Sequence, residues 1–391
     1  MILITFIDSF EQVPVSDWHR LNTSTCPLVS YVFFKALEAS QSVSTARGWQ
    51  PHHMVIENDG VIDGIMPLYL KQHSWGEYVF DWDWARAFED NNIAYYPKLV
   101  GTIPFTPLTS HKLFANNPSS TKLSLAELLP SLISHCQQHE INSWHILFCP
   151  EIESDSKQTE NGQSVSMAKL PEDVYQRHTV QFHWFNRGYA CFDDFLATFT
   201  SRKRKNTRKE RASIKQQGIT IRQLQGQDIT AQDVDFFYLT YQLTYLKKGH
   251  QPHLNFDFFR QIFKNLADNI LLIIASHEDN DVACALFFYD DTHLYGRYWG
   301  CQESFKNLHF ELCYYQGIAF CIEQNLQCFN PGTQGEHKIQ RGFEPILTHS
   351  YHWVKDAAFK DAIREFCQRE CEHMQSYQQQ CRQALPFKVV V

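Results

Sequence analysis

Two stretches of this chain repeat one order of apolar runs and polar turns. In the first, MVIE from Met54 is followed by the turn Asn58-Asp59-Gly60, by VIDGIMPLYL and, after HSWGE, by YVF ending at Phe80. In the second, Ile270–Trp299, LLIIAS leads through Glu278-Asp279-Asn280-Asp281 to VACALFFY, then through Asp290-Asp291 to LYGRYW. Short apolar runs punctuated by Asn, Asp and Gly predict strands joined by tight turns, so each stretch predicts a three-stranded antiparallel meander. A helical pattern precedes each one, at Tyr31–Ser40 and Val234–Lys247. Another follows the second meander: Leu308–Asn325 sets Phe310, Cys313, Tyr314, Gly317, Ile318 and Cys321 on one stripe, the spacing of a helix lying on a sheet. Its first-half counterpart is Leu123–His139. This layout, written twice, predicts an α+β chain of two tandem domains, 1–175 and 176–391, each a mostly antiparallel mixed sheet flanked by helices. The boundary falls within Asp173–Gln181, beside a polar stretch, Glu151–Glu172, that reads as a mobile insertion. Beyond Asp356 a polar helix precedes the apolar terminus KVVV, which reads as a last strand or a fraying end.

Composition agrees with two packed domains. At 391 residues, 43% hydrophobic, 20% charged and without excess Gly or Pro, the chain is neither disordered nor collagenous nor of low complexity. The net charge of -8 shows that the molecule as a whole is no polyanion binder, which leaves a local basic patch open. No apolar run reaches the roughly 18 residues of a membrane span, and MILITFIDSFEQVP lacks the basic start of a signal peptide, so the expected location is the cytoplasm. The twelve cysteines include no C-x-x-C pair and read as reduced, mostly buried thiols.

Several phrases resemble the FemAB-like, or peptidoglycan biosynthesis/recognition, family of the GNAT superfamily: GWQPHHMVIENDG from Gly48, PLYLKQHSWGEYVFDWDWA from Pro67, YYPKLVGTIPFTPLT from Tyr95, QFHWFNRGY from Gln181, SRKRKNTRKER from Ser201, LYGRYWGC from Leu294, LHFELCYYQGI from Leu308 and GEHKIQRGF from Gly335. The resemblance implies two tandem GNAT-like domains and an acyl transfer to an amine. Fem-type enzymes take an aminoacyl group from aminoacyl-tRNA to a peptidoglycan precursor, whereas ordinary GNAT enzymes take an acyl group from coenzyme A. The GNAT pyrophosphate loop needs glycines that let backbone amides approach phosphate. The corresponding segment here, Cys301–Leu308, contains none, which makes coenzyme A the less favoured donor.

The sharpest local feature is Arg202, Lys203, Arg204, Lys205, Asn206, Thr207, Arg208, Lys209, Glu210 and Arg211, with seven basic residues and one acid on a helix expected near 201–217. Helical spacing sets Arg204, Arg208 and Arg211 along one side with Lys205 and Lys209 beside them, a pattern that tracks phosphates such as those of a tRNA acceptor arm, or a solvated face. Acyl transfer needs a base, a positioned carbonyl and donors for the oxyanion. Candidate bases are His309 and Glu311, where the second meander meets its helix, and Glu336 and His337 in the glycine-bearing loop Pro331–Phe343; Glu311 is the first choice. Each of the four has a structural hydrogen bond or ion pair as its alternative reading. In Fem-like proteins the matching loop reaches donor or acceptor, so the resemblance marks Lys338 and Arg341 as a phosphate or carboxylate clamp. Arg297, with its neighbour Tyr298, either pairs with a carboxylate or faces a cleft. In the first half, Trp75, Glu77, Tyr78, Asp81, Trp82, Asp83 and Trp84 suit a sugar, a cationic amine or a polar-edged aromatic core, with Lys98 as a substrate contact.

No H-E-x-x-H, no P-C-x-x-C partner for His309-x-Glu311 and no G-x-S-x-G occur, so no metal and no hydrolase nucleophile are expected. The reading is an acyltransferase without a tightly bound cofactor, its co-substrate aminoacyl-tRNA or acyl-CoA and its acceptor a small molecule or cell-wall precursor. The alternative is a non-catalytic protein of the same fold that recognises a cell-wall precursor or RNA.

Overall fold

A computed structural model describes residues 2–115, 123–152, 170–333 and 335–388. The chain divides into two compact units, but not at one point: the first comprises Met1–Thr23, Val43–Thr179 and Leu347–Ser376, and the second Ser24–Ser42, Val180–Ile346 and Tyr377–Val391. The helical segment Tyr31–Ala39 therefore belongs to the second unit, and most of the polar C-terminal helix, Lys360–Gln383, to the first. A sequence split at 175/176 assigns both to the wrong partner, because apolar side chains such as Phe33, which meets Phe258 and Phe288 edge-on, follow packing rather than chain order.

In the first unit, β1 (Ile2–Ile7), β2 (Trp49–Pro51), β3 (His53–Asn58), β4 (Val61–Met66), β5 (Tyr69–Lys71), β6 (Lys98–Gly101), β7 (Phe114–Ala115) and β8 (Ser143–Cys149) form two sheets. The order β1-β3-β4-β7 is antiparallel throughout. In the other sheet β2, β5 and β6 are antiparallel, and β6 runs parallel to β8 after the crossover helix Leu125–Gln138. The expected three-stranded meander is thus a two-stranded hairpin. Pro67, which has no N–H to donate, separates β4 from β5, and YVF near Phe80 is an irregular strap rather than a strand.

In the second unit, β9 (Tyr175–Phe185) contributes its later residues, followed by β10 (Ile219–Gln225), β11 (Ile270–His277), β12 (Asn280–Tyr289), β13 (His293–Cys301) and β14 (Cys328–Asn330), in the order β10-β11-β12-β13-β14-β9. Here the predicted meander forms: β11, β12 and β13 pair antiparallel, with the turns where the polar residues placed them. Ile270–Ala275 is buried on both faces, which is why the strand reads as an unbroken apolar run. β15 (Glu344–Val354) pairs antiparallel with β8 through His349–Val354, within the first unit.

Two details of β13 open the site. Leu286 pairs with Tyr298 and Phe287 with Gly296, so Arg297 is the extra residue of a bulge. β13 and β14 are parallel only over His293–Tyr295 and Cys328–Asn330; β13 then runs on to Cys301 while β14 ends, and the two strands part. A helix crosses between them, Leu308–Phe310 continuing through a π turn, Glu311–Tyr315, into Gln316–Glu323. Close packing dictates the glycines nearby. A Cβ on Gly300 would stand 2.3 Å from the Thr240 backbone, and one on Gly317 2.6 Å from the Phe329 ring.

The expected helices near 123–139, 201–217 and 308–325 are present as Leu125–Gln138, Ser201–Gln216 and the helix just described. Most of the polar Glu151–Glu172 stretch and the final Val389–Val391 lie outside the described residues. All twelve cysteines are free thiols. Among the described residues, no helix is long and apolar enough to cross a membrane.

Candidate active site

The loop after β14 folds into a 3-10 turn, Glu336–Arg341, that returns Lys338 into the protein beneath the parted strands. Lys338 is 2% exposed, and its Nζ donates to the carbonyls of Gly332 at 2.9 Å and Thr333 at 3.1 Å. Burial, with Arg297 nearby, pushes this amine down to about 7. Arg297 itself donates to the Gly296 carbonyl at 2.9 Å and to Asn330 O and Oδ1, each at 3.4 Å. Gly332, with φ +83, makes the turn that brings the two carbonyls within reach of Lys338.

His309 and His337 line the same region. His337 Nε2 is 2.8 Å from Tyr314 Oη, while the His309 ring meets Trp299 edge-on at 5.2 Å and His337 at 6.0 Å. Burial lowers both imidazoles, His309 to about 4, so at neutral pH both are uncharged and weakly basic. Lys338 is better matched to moving a proton near pH 7. Glu336 lies at the start of the 3-10 turn, exposed, and its Oε1 accepts from Tyr377 Oη at 2.7 Å. Tyr298 also points elsewhere: its ring packs at 5.4 Å from both Tyr241 and Phe259.

Glu311, the first choice for general base, is clamped. Arg211 donates to it through Nη2 at 3.0 Å and Nε at 3.2 and 3.3 Å, and Gln316 Nε2 adds a bond at 2.8 Å. With both oxygens engaged by a guanidinium, this carboxylate is arranged to hold the basic helix against the site helix. Glu210, the lone acid in the basic run, does the same on the other side, accepting from Arg341 Nη2 at 2.9 Å and from Tyr315 Oη. Arg341 lies 3.4 Å above the Phe310 ring and is thereby a wall of the site rather than an open clamp. Lys203 bonds to Gln340, and Ser213 and Gln217 fasten Asn307 and Lys306 at the start of the site helix.

The basic helix therefore has two faces. Its inner side is consumed by structure, and Arg208 forms a surface pair with Asp193 at 2.8 Å. Arg202, Lys205 and Lys209 are exposed at three- and four-residue spacing, one outward stripe, with Arg204 half-buried beside them.

Lys98 lies in the first unit and contacts no solvent. Its Nζ donates to Ser74 Oγ and Glu77 Oε2, both at 2.8 Å, and to Asp81 Oδ2 at 2.5 Å. Asp81 Oδ2 also accepts from Tyr95 Oη at 2.6 Å, and beyond Tyr95 stand His145, with its Nδ1 2.7 Å from His352 Nδ1, and the flanking Ser143 and Ser350. Lys71 joins from β5, 3.7 Å from Glu77 Oε1 and 3.4 Å over the Trp49 ring. Burial pulls the Lys98 ammonium down, yet Glu77 and Asp81 outweigh it and hold the group above its usual range. For Lys71, burial wins and pushes the amine down to about 6. Burial also raises Glu77 in spite of Lys98, whereas at Asp81 Lys98 overcomes burial and holds the carboxyl low. This network pins the strap through Ser74, Glu77 and Asp81 and leaves Trp75 half-exposed against Trp82, their rings 5.1 Å apart. The sequence reading marked Glu77, Asp81 and Lys98 but missed Lys71, Tyr95, His145 and His352, which lie on other strands and loops and carry no shared spacing. Among the described residues, no three His, Cys, Asp or Glu side chains converge as metal ligands.

Among solved structures, FemX is similar over 92% of this chain and 100% of its own, at 10% identity and a TM-score of 0.48. A tandem GNAT protein from the clavulanic acid biosynthesis pathway is similar over 90% of this chain and 98% of its own, at 9% identity and a TM-score of 0.45. L-PGS from Bacillus licheniformis is similar over 86% and 95%, at 12% identity and a TM-score of 0.44. No curated protein matches the chain. Residues 9–389 match the FemAB-like family, described as peptidoglycan biosynthesis/recognition, and the chain belongs to that family.

Proposed function

We propose that this protein is an acyltransferase that moves an acyl or aminoacyl group onto an amine acceptor of the cell-wall-precursor kind, with the chemistry in the second unit where β13 and β14 part. The observation that carries the reading is Lys338: a buried amine lowered to about 7, beside a bulged arginine, at the open end of a parallel strand pair. An acceptor arrives as an ammonium and must lose a proton before its nitrogen can attack the acyl carbon. Neutral Lys338 accepts that proton; the new C–N bond forms as the bond to the donor's oxygen or sulfur breaks, and the donor leaves as its protonated alcohol or thiol. Arg297 supplies positive charge for the carbonyl oxygen or a donor phosphate.

The outward stripe of Arg202, Lys205 and Lys209 favours aminoacyl-tRNA over acyl-CoA as donor, because three cations in a row suit a phosphate backbone. Both donors are cytoplasmic, and a cytoplasmic location goes with the proposal. The test is binding of charged tRNA and of acetyl-CoA at two salt concentrations, followed by an acceptor screen. Changing all three stripe residues to Gln lowers the tRNA salt slope by about 2 to 3; an unchanged slope removes the stripe from the donor site. The clamped Glu311 favours one alternative, a recognition protein without turnover. That reading stands if wild-type protein binds precursor or RNA and transfers nothing from either donor.

A further inference from the structure

The helix Ala231–Leu246 in the second unit is apolar on two sides. One side buries Val234, Phe237, Thr240 and Tyr241, with Thr244 Oγ1 donating to the Trp299 carbonyl at 2.9 Å on β13. The other carries Phe236, Leu239, Leu243 and Leu246, at spacings of three, four and three, the seam of a helix that packs against another helix. Among the described residues of the unit nothing covers it fully: Leu239 is 44% exposed and Leu246 52%, with Phe236 and Leu243 partly exposed between them. A second apolar stripe of this kind on a helix is ordinarily covered by packing.

The charges at its ends say what fits. Asp235 is exposed near the N-terminal end, where the neighbouring Asp233 is already paired with Arg222 at 3.0 Å; Lys248 and Lys247, whose Nζ also donates to the Cys301 carbonyl at 3.0 Å, are exposed just past the C-terminal end. The stripe is also symmetric about its midpoint, with one Leu–Leu step at the centre and a large apolar residue at each end. An antiparallel copy sets Phe236 level with Leu246 of the partner subunit and Leu239 level with Leu243 of the partner subunit. It brings the acidic end of each helix beside the basic end of the other, whereas a parallel copy would set like charges together. We propose that this face is a dimer interface, on which two copies of the chain pack antiparallel along Ala231–Leu246. Such an isologous contact closes on itself and leaves no open seam for further growth.

The experiment is sedimentation velocity with light scattering on the full chain between 1 and 100 μM. The expected result is a dimer in the wild type, with a dissociation constant raised about 100-fold or more by Leu239→Asp combined with Leu243→Asp, since four leucines per dimer lose their apolar cover. Should that variant misfold by circular dichroism, the exposed charges carry the test. Lys247→Glu with Lys248→Glu weakens the dimer, and adding Asp235→Lys to that chain restores it. A wild type that stays monomeric at 100 μM overturns the proposal. So does a dimer that withstands both sets of changes, which would place the interface elsewhere.

Discussion

Replacing Lys98 by Met tests whether this residue is a structural cation or a substrate contact. The ammonium makes three hydrogen bonds within 2.8 Å, two of them to carboxylates that are themselves 1% and 3% exposed. Methionine fills the volume but leaves those two carboxylates without their cation. Lys71, 3.7 Å from Glu77, offsets only part of the missing charge: burial holds its amine down, and the loss of Lys98, which also holds it down, lets it rise. Breaking a buried pair from one side costs about 3–5 kcal/mol; Glu77, already raised by burial, relieves part of it by holding a proton, which sets the expected loss near 3 kcal/mol. That relief fixes the pH dependence. A protonated Glu77 in the folded state against an ionised one in the unfolded state means folding takes up a proton, so the deficit grows as pH rises above the ordinary glutamate range. Urea unfolding followed by tryptophan fluorescence at pH 5 and pH 8 reads both quantities, with Trp49, Trp75, Trp82 and Trp84 around the network as reporters. A triple variant, Lys98→Met with Glu77→Gln and Asp81→Asn, recovers part of the loss because no charge remains to strand. A loss below about 1 kcal/mol, or lost acceptor binding at unchanged stability, refutes the structural reading.

Three further outcomes follow from the same geometry. Lys71 is protonated when unfolded and neutral when folded between about 6 and its ordinary value, so folding releases a proton there and wild-type stability gains with pH over that window; Lys71→Met flattens the gain in urea titrations at pH 6.5 and 9. Glu311→Gln loses about 2 kcal/mol by freeing Arg211, Arg211→Met loses a similar amount, and the double variant loses less than the sum; full additivity in that cycle would show that the pair does not act as one. Once an acceptor is found, the rate rises with pH through about 7 as Lys338 loses its proton, and Lys338→Met removes that limb while leaving donor binding in place; a retained limb assigns the base elsewhere.

Much of the second unit was legible in the sequence. The runs LLIIAS, VACALFFY and LYGRYW became β11, β12 and β13 because each is apolar enough to be buried and each is closed by acidic or amide turn residues. The basic helix and the site helix were likewise read from spacing. The first meander failed where a proline and a long-range ion network overrode a locally strand-like YVF.

Residue type and spacing by themselves determined the strands of the second meander, the long helices, the α+β class and the short list of residues able to do acid–base or anion chemistry. Those properties follow from local periodicity and side-chain chemistry, which neighbouring residues carry. Tertiary structure alone decided what each listed residue does. Glu311 became a clamp once Arg211, a hundred residues earlier, bonded to its carboxylate, and Lys98 became a core cation once Glu77 and Asp81 folded over it. Lys338 became an amine lowered to about 7 because burial, with Arg297 nearby, disfavours its charged form, and burial is a property of the folded chain, not of any stretch of it.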